Sequence, residues 1–254
     1  MDLVKSVSVK ALKSAGSILL SNLGKITYLK EKQKNDFLTN VDLQVEENIK
    51  RIIKDSFPNH GFYGEEQGLE KGNSKHVWYI DPISSTSNYI HSFPHFAASI
   101  ALEKNGTFIL SAVYDPMMDE LFYAQKGRGA FLNNKRINVS SVSELSNALV
   151  FIGIHKRGDI KPDFRHFEKL YNIASEVRRI GSTSLQMCYV ACGRAEAHIN
   201  NHSDIFAIPA GKVILEEAGG VLTDFEGSPW TLNSKTIVAF NSNVHNKILK
   251  TLNS

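Results

Sequence analysis

At the centre of the sequence stands the segment Trp78-Tyr79-Ile80-Asp81-Pro82-Ile83-Ser84-Ser85-Thr86-Ser87-Asn88-Tyr89. Its first part continues an apolar run, Val77–Ile80, which predicts a strand that ends at the acid and the proline. The hydroxyl run Ser84 to Ser87 then leads toward a short helix. Free backbone N–H groups at a helix start bind anions and suit a phosphate, although the serines could instead only cap that helix.

Two further segments place carboxylates beside apolar runs. Gly64-Glu65-Glu66 precedes the central segment, and Phe206-Ala207-Ile208-Pro209-Ala210-Gly211 runs into Glu216-Glu217-Ala218-Gly219-Gly220. Adjacent carboxylates beside Asp81 repel one another, and a hard cation is the usual way to neutralise such a cluster. Two plainer interpretations stay open, since Glu65-Glu66 alone fits a solvated surface pair and Asp81-Pro82 alone fits a turn.

Apolar spacing predicts two N-terminal helices followed by an antiparallel meander of strands. Residues 3–20 and 42–55 show helical spacing, with Asp42 as the N-cap of the second helix. Turn residues separate five strand-like segments, at 77–80, 96–102, 108–114, 121–125 and 130–132. Predicted helices at 164–175, 183–193, 207–218 and from 243 then alternate with strands at 177–180, 197–200, 220–224 and 236–240. Helices and strands intermixed in this way indicate stacked layers, an α+β or α/β sandwich.

The length of 254 residues predicts a single domain, 1–254, built from two packed halves of roughly 1–150 and 151–254. The stretch Gly153 to Pro162 is the most loop-like part of the sequence and is the predicted seam between the halves. A content of 42% hydrophobic and 22% charged residues excludes a disordered chain.

The charge distribution indicates neither a nucleic-acid nor a membrane partner. The chain has 29 basic and 26 acidic residues, and like charges never run to five in a row. No apolar run approaches the roughly 20 residues that span a bilayer, and the start lacks the layout of a signal peptide, so we expect a cytoplasmic protein. The densest basic stretch, Lys30-Glu31-Lys32-Gln33-Lys34, predicts a solvated loop. Cys188 and Cys192 are interpreted as buried thiols in a reducing compartment.

The order of these motifs resembles that of the inositol monophosphatase family, including its bacterial SuhB-type members. The resemblance also includes Asp36-Phe37-Leu38-Thr39-Asn40-Val41-Asp42 near the start and Gly181-Ser182-Thr183 in the second half, and so spans essentially the whole chain. It implies a five-layer αβαβα sandwich that forms a homodimer. It also implies a phosphatase that uses Mg²⁺ and an in-line attack of water on a small polyol or sugar phosphate.

The side chains of the family's first metal site are all present. The resemblance implies that a first Mg²⁺ is surrounded by Glu65, Asp81, the Ile83 carbonyl and Thr86, with Glu66 beside them. It further implies that Asp42 hydrogen-bonds to the Thr86 hydroxyl and that this pair orients the attacking water. The catalytic residues implied are therefore Thr86, Asp42 and Glu65.

The second metal site departs from the family. Where the family reads Asp-Pro-Ile-Asp-Gly-Thr, this chain has Ser84 and Ser85, and gap-free counting places Ala207 where the family has the Asp of Trp-Asp. Both missing carboxylates belong to the second site, which keeps only Asp81, so the resemblance implies a lost second Mg²⁺. A transition-state loss of ~4 kcal/mol would slow the reaction about a thousandfold. Asp204 lies three residues before Ala207 and could either reach the site or cap the helix.

The substrate side also differs from the family pattern. The residues implied to bind substrate are Ser84, Ser85, Thr86, Ser182, Thr183 and Asn200. Asn200 stands where inositol-specific members have a Glu, which still allows a polyol, because an amide donates and accepts hydrogen bonds. If Ser85 needs positive φ, it costs on the order of 1 kcal/mol relative to Gly.

Two functions from different classes therefore remain. The first is a phosphomonoesterase of inositol monophosphatase type whose activity is strongly impaired. The second is a catalytically inactive member that serves as a scaffold for a phosphorylated ligand or a protein partner.

Overall fold

Two large β-sheets and three layers of helices alternate in the structure, which also contains a separate two-stranded sheet; this computed structural model describes residues 3–33, 36–154 and 160–253. Its helices are α1 (Leu3–Asn22), α2 (Asn40–Ser56), α3 (Thr86–Ile90), α4 (Lys161–Tyr171), α5 (Thr183–Ala191), α6 (Ala207–Glu217) and α7 (His245–Leu252). Its strands are β1 (Leu29–Gln33), β2 (Asp36–Thr39), β3 (Gly61–Gly64), β4 (Gly68–Glu70), β5 (His76–Ser84), β6 (Ala97–Lys104), β7 (Thr107–Asp115), β8 (Glu120–Gln125), β9 (Ala130–Leu132), β10 (Lys135–Ile137), β11 (Leu149–Gly153), β12 (Glu176–Arg178), β13 (Ala197–Asn200), β14 (Gly220–Thr223) and β15 (Ile237–Asn241).

The order of packing gives five layers. Helices α1 and α2 cover one face of an eight-stranded sheet with the order β10-β9-β8-β7-β6-β5-β3-β4. Helices α5 and α6 lie between that sheet and a five-stranded sheet with the order β12-β11-β13-β15-β14, whose other face is covered by α4 and α7. The predicted α+β fold, the five-layer αβαβα sandwich, is confirmed.

The eight-stranded sheet contains the predicted meander. Strands β5 to β10 pair antiparallel with their neighbours in sequence. The parallel pairing of β3 with β5 departs from this pattern and sets Gly64 opposite Ile80. Parallel strands end at the same edge of a sheet, so the residues that follow Gly64 and Ile80 lie side by side.

The central helix layer shares its core with both sheets. Leu185 of α5 and Ile214 of α6 are fully buried in one apolar cluster with Phe122 of the first sheet and Ile237 of the second. At roughly 25 cal/mol per Å² of apolar surface removed from water, this cluster stabilises the stacking of the layers. The predicted seam at Gly153 to Pro162 lies partly outside the described residues, and Pro162 itself lies in the first turn of α4.

Three local predictions are corrected by the structure. Asp42 is not the N-cap of α2: the N-cap is Thr39, and Asp42 is the third helical residue, whose carboxylate completes a capping box. The predicted helix 164–175 begins earlier, at Lys161, because proline is tolerated in the first turn of a helix. The predicted loop at Lys30–Lys34 is wrong over Lys30 to Gln33, which belong to β1, while Lys34 lies outside the described residues.

Within the part of the chain that the structure describes, no helix is both long and apolar enough to span a membrane.

Candidate active site

Two neighbouring strand ends bring Glu65 and Asp81 together. Glu65 follows β3 directly, and Asp81 lies in β5 just after Ile80, the residue that pairs with Gly64. The Glu65 N–H continues the ladder by donating to the Ile80 carbonyl at 3.1 Å. The sheet register therefore sets both carboxylates at one edge of the eight-stranded sheet.

A β-bulge shapes the chain immediately after Asp81. The pairing of β5 with β6 shifts by one residue between Asp81 and Ser84, so that Pro82 and Ile83 lie opposite a single residue. Pro82 has no N–H to donate, and a bulge is where a sheet accommodates that loss. The Ile83 carbonyl accepts a hydrogen bond from the Thr86 hydroxyl at 3.2 Å instead of pairing across the sheet.

Ser85 adopts the left-handed conformation that favours glycine, with φ of 81° and ψ of 61°. This is the geometry in which the sequence predicts a cost for serine. Its side chain makes no capping hydrogen bond to α3, so capping alone does not explain the hydroxyl run at this position. A second left-handed serine, Ser182 with φ of 59°, precedes α5 in the same way.

The implied hydrogen bond between Asp42 and Thr86 is present. Asp42 is 1% exposed, and its Oδ1 accepts from the Thr86 hydroxyl at 3.3 Å. Its Oδ2 accepts from the N–H and the hydroxyl of Thr39, at 2.8 and 2.5 Å. The capping box of α2 thus fixes the orientation of the carboxylate that contacts Thr86.

A cavity of about 430 Å³ opens where the two sheets face the central helices. Ten of the residues assigned to the site from the sequence line it: Glu65, Asp81, Ile83, Ser84, Ser85, Thr86, Ser182, Thr183, Asn200 and Ala207. Asp42 and Glu66 are not among the lining residues. Asp42 acts on the cavity through Thr86, and the Glu66 side chain is turned toward Lys32.

Crowded carboxylates dominate the electrostatics of the cavity. Burial raises the pKa of Glu65 from 4.5 to about 8; the negative charges of Asp204 and Glu66 add to the effect and Lys32 opposes it. Burial likewise raises the pKa of Asp81 well above its ordinary value, and Glu65 and Asp204 raise it further. The Oδ1 atom of Asp81 is buried and has no hydrogen-bond partner. A charged carboxylate that is buried and lacks a hydrogen-bond partner destabilises the fold unless a cation pairs with it.

Lys32, which the sequence placed in a solvated loop, lies against both members of the Glu65-Glu66 pair. Its Nζ lies 3.1 Å from Glu65 Oε1 and 2.8 Å from Glu66 Oε1. The Glu66 side chain is 2% exposed, so the pair is not the solvated surface pair that the sequence left open. Lys32 lies 33 residues before Glu65 in the sequence, so no local sequence pattern predicts this contact.

Ser84 and Ala207, the two positions where the resemblance implies missing carboxylates, both line the cavity. Ser84, at the end of β5, accepts a hydrogen bond from the Ser182 hydroxyl at 3.1 Å. Ala207 begins α6, and its N–H donates to Asp204 Oδ1 at 3.1 Å, as does the N–H of Phe206 at 2.8 Å. Asp204 is not the N-cap of α6, which is Phe206, but its carboxylate accepts from the N–H groups at the start of that helix and it also lines the cavity.

Two amides and the guanidinium of Arg179 also line the cavity. Asn200 and Gln186 are each 2% exposed, and Asn200 Oδ1 accepts from the His202 N–H at 3.0 Å. Arg179 stands at the rim, where its Nη2 donates to the Ile154 carbonyl at 3.1 Å. Sequence reasoning missed Gln186 and Arg179, whose only signal is their closeness to Gly181-Ser182-Thr183.

The carboxylates of the cavity can hold a hard divalent cation only if other oxygen atoms complete its coordination. In the described part of the chain, no three His, Cys, Asp or Glu side chains are arranged to hold a metal ion. Mg²⁺ usually takes one or two carboxylates and completes its octahedron with waters and substrate phosphate. The unpartnered Oδ1 of Asp81, beside Glu65 and the Ile83 carbonyl, meets that requirement.

Comparison with known proteins identifies the class to which this fold and cavity belong. The family model described as the inositol monophosphatase family matches residues 1–254. The inositol-1-monophosphatase of Caulobacter vibrioides is 34% identical over 254 residues, 96% of this chain and 98% of its own. The Nus factor SuhB of Xylella fastidiosa is 37% identical over 227 residues, 88% of this chain and 82% of its own.

The fold comparison agrees. The crystal structure of the SuhB protein of Bartonella henselae has a TM-score of 0.96 and 31% identity, and the match covers 98% of each chain. The chain belongs to the inositol monophosphatase family, a family of phosphatases.

Proposed function

We propose that the chain is a Mg²⁺-dependent phosphomonoesterase of inositol monophosphatase type that acts slowly on a small polyol or sugar phosphate. The observation that carries the proposal is the buried Asp81 carboxylate, whose Oδ1 lacks a hydrogen-bond partner beside Glu65. A divalent cation held by Glu65, Asp81, the Ile83 carbonyl and Thr86 would neutralise both acids. When bound, Mg²⁺ supplies positive charge that offsets the phosphoryl oxygens and makes water a better nucleophile.

The chain's own residues orient the water. The Thr86 hydroxyl hydrogen is directed at Asp42 Oδ1 and the Ile83 carbonyl, at 3.3 and 3.2 Å, so its lone pairs are free to accept from a water molecule. Asp42 is fixed in turn by the N–H and hydroxyl of Thr39. Holding a water in one orientation removes part of the entropic cost of attack.

The phosphate and the alcohol it esterifies would occupy neighbouring parts of the cavity. Backbone N–H groups around Ser84 to Thr86 would donate to the phosphate oxygens, because the left-handed Ser85 turns the chain out of the sheet directly after Ser84, the last paired residue of β5. Ser182, Thr183 and Asn200 would hydrogen-bond to the hydroxyl groups of the polyol.

The reduced rate is attributed to Ser84 and Ala207. Both line the cavity, yet neither carries the carboxylate that a second Mg²⁺ would need, so the site would hold one ion. In two-metal reactions the second ion stabilises the leaving oxygen, and its loss costs a large part of the rate. The same two residues favour a second candidate, a scaffold that binds a phosphorylated ligand or a protein without turnover. Relatives that carry the name Nus factor SuhB make such a role a reasonable alternative.

Phosphate release from a panel of monoesters, with and without Mg²⁺, separates the two candidates. Slow release that depends on Mg²⁺ supports the impaired phosphatase. Release at 1–1000 per second would contradict the impairment. Ligand binding without any release, in the presence of Mg²⁺, would favour the scaffold.

We further propose a cytoplasmic homodimer with no nucleic-acid affinity of its own. The near balance of 29 basic and 26 acidic residues supports the last point, because tight nucleic-acid binding usually needs a concentrated positive surface. Light scattering that finds only a 28 kDa species, or tight salt-sensitive DNA binding, would contradict this proposal.

A further inference from the structure

Glu46, in α2, is a fully buried carboxylate that contacts the loop after β3. Its Oε2 accepts from the Glu66 N–H at 2.9 Å, and its Oε1 accepts from the Gln67 N–H at 3.1 Å. Carboxylates are rarely buried unless hydrogen bonds and a counter-charge compensate the lost hydration. The two backbone N–H groups therefore stabilise Glu46, and Glu46 in turn fixes their position.

Lys50, one turn further along α2, supplies the counter-charge. Its Nζ lies 2.8 Å from Glu46 Oε1, and the Lys50 residue is only 5% exposed. The same ammonium donates to the Gln67 side-chain oxygen at 2.9 Å. Both members of the ion pair thus stand on one rigid helix and contact the same loop.

Gly64 makes this close approach possible. A Cβ atom at this position would overlap the Glu46 carboxylate. Directly after it, the Glu65 N–H donates to the Ile80 carbonyl at 3.1 Å. Three consecutive backbone donors, those of residues 65, 66 and 67, are consequently bound to β5 or to Glu46.

We infer that Glu46, paired with Lys50, is a positioning residue that holds the Glu65-Glu66 segment against the end of β5. It does not line the cavity and acts on a ligand only through Glu65 and Glu66. The inference rests on the proposed function, because the geometry it sets is that of the cation site between Glu65 and Asp81. Outer residues that orient metal ligands typically change metal affinity 10- to 100-fold when they are replaced.

The test replaces Glu46 by the isosteric amide, Glu46→Gln. The amide keeps the volume but has one acceptor instead of two, and it leaves Lys50 without its counter-charge. We expect Mg²⁺ binding, measured by titration calorimetry, to weaken about 10- to 100-fold in a folded variant. Hydrogen exchange should show lost protection at the Glu66 and Gln67 amides and little change in the five-stranded sheet. If Glu46→Gln does not fold, Lys50→Met, which keeps the carboxylate and its two backbone partners, should weaken Mg²⁺ binding several-fold.

Glu217 offers a matched control. Its two carboxylate oxygens accept from the N–H groups of Gly127 and Gly129, both at 2.7 Å, and it does not line the cavity. Glu217→Gln should leave Mg²⁺ affinity unchanged. The inference is overturned if Glu46→Gln folds and binds Mg²⁺ as tightly as the parent, or if both variants weaken binding equally.

A parent protein that binds no Mg²⁺ would defeat the proposed function instead. In that case hydrogen exchange at the Glu66 and Gln67 amides still tests, without Mg²⁺, whether Glu46 holds this segment in place. Protection lost only at these amides in Glu46→Gln supports the positioning role, and protection retained there overturns it.

Discussion

The ammonium of Lys32 lies 2.8 Å from the Glu66 carboxylate, which is 2% exposed, and 3.1 Å from that of Glu65. A lysine on β1 therefore supplies positive charge to an acidic site formed by β3 and β5. Its own pKa is raised by these two carboxylates, against the lowering effect of burial, and so it stays protonated. When no metal is bound, this ammonium partly neutralises the negative charge that a divalent cation would otherwise neutralise.

The first prediction removes that ammonium by Lys32→Met. In EDTA the variant should lose about 1–2 kcal/mol of folding free energy, because two partly buried carboxylates lose a charged hydrogen-bond partner. In Mg²⁺ the loss should shrink, since the cation then neutralises Glu65. Thermal unfolding in both conditions measures the difference. Lys54→Met is the matched control, because Lys54 pairs with Glu70 at 2.6 Å on the exposed surface. It should change the melting temperature little in either condition; equal losses for Lys32→Met in EDTA and in Mg²⁺ would refute the prediction.

The second prediction concerns pH. The pKa of Glu65 rises from 4.5 to about 8 in the folded chain, so between these values the folded state binds more protons than the unfolded state. Stability then falls as pH rises, because its slope with pH follows the protons bound by the unfolded state minus those bound by the folded state. We expect Glu65 to contribute a loss of stability between about pH 4.5 and 8 in the metal-free protein, with a slope of at most ~1.4 kcal/mol per pH unit. Denaturant unfolding in EDTA measures it. Glu65→Gln should make the slope less negative by this amount, and a folded variant with the same slope as the parent would contradict the assignment.

The sequence predicted the parts of the fold that local pattern controls. Apolar spacing placed the first helix at 3–20, which the structure extends only to Asn22, and turn residues that separate strand-like segments placed the strand Ala130–Leu132 at its observed bounds. Strand β1 was missed, because Leu29-Lys30-Glu31-Lys32-Gln33 has no apolar face and is stabilised by pairing with β2. Asp42 was correctly predicted to lie at the N-terminal end of α2, but its predicted role as the N-cap was wrong. Thr39 and Asp42 both have side chains suited to an N-cap, and only the backbone angles show that Thr39 has this role.

The order of the motifs along the sequence predicted residues that the structure brings together in the candidate site. Glu65, Asp81, Thr86 and Asn200 line one cavity although 135 positions separate the first from the last. Lys32 and Glu46 were not found, because each acts through a contact between distant segments that no local spacing reports. What the sequence lacked is the placement of β1 and α2 against the loop that follows β3.

The third prediction is one divalent cation per chain. Glu65 and Asp81 are the acids proposed to hold a cation with the Ile83 carbonyl, and Ser84 and Ala207 add no charge to the cavity. Asp204 also lines the cavity, but its carboxylate already accepts from the Phe206 and Ala207 N–H groups. Titration calorimetry with Mg²⁺ or Mn²⁺ should give a stoichiometry near one at moderate metal concentration. Glu65→Gln should abolish binding, because an amide attracts a hard cation far less than a carboxylate does. Two equally tight ions per chain would overturn the one-metal assignment.

The last prediction restores a two-metal site by Ser84→Asp together with Ala207→Asp. Ser84 is 4% exposed and Ala207 2% exposed, and both face the cavity, so the new carboxylates would lie where a cation can reach them. A carboxylate at residue 84 could accept the Ser182 hydroxyl hydrogen that Ser84 now accepts at 3.1 Å. A carboxylate at residue 207 lies in the first turn of α6, where the helix dipole favours it by ~0.3–1 kcal/mol. In EDTA the double variant should be less stable than the parent, because its acids add to those of Asp81 and Asp204, and in Mg²⁺ it should recover.

Activity should rise much more in the double variant than in either single one, because one added carboxylate leaves a second ion under-coordinated. The two substitutions share that ion, so their effects should be strongly non-additive. Ser85→Gly is the third change, since φ of 81° costs serine on the order of 1 kcal/mol and a glycine lets the phosphate approach the backbone. Phosphate release at saturating Mg²⁺ is compared for the parent, both singles, the double and the triple variant. A gain of about a thousandfold in the double or triple variant corresponds to the ~4 kcal/mol attributed to the second ion. If both remain as slow as the parent while circular dichroism shows them folded, Ser84 and Ala207 do not stand at a second metal site, and the low rate must come from another feature of the cavity.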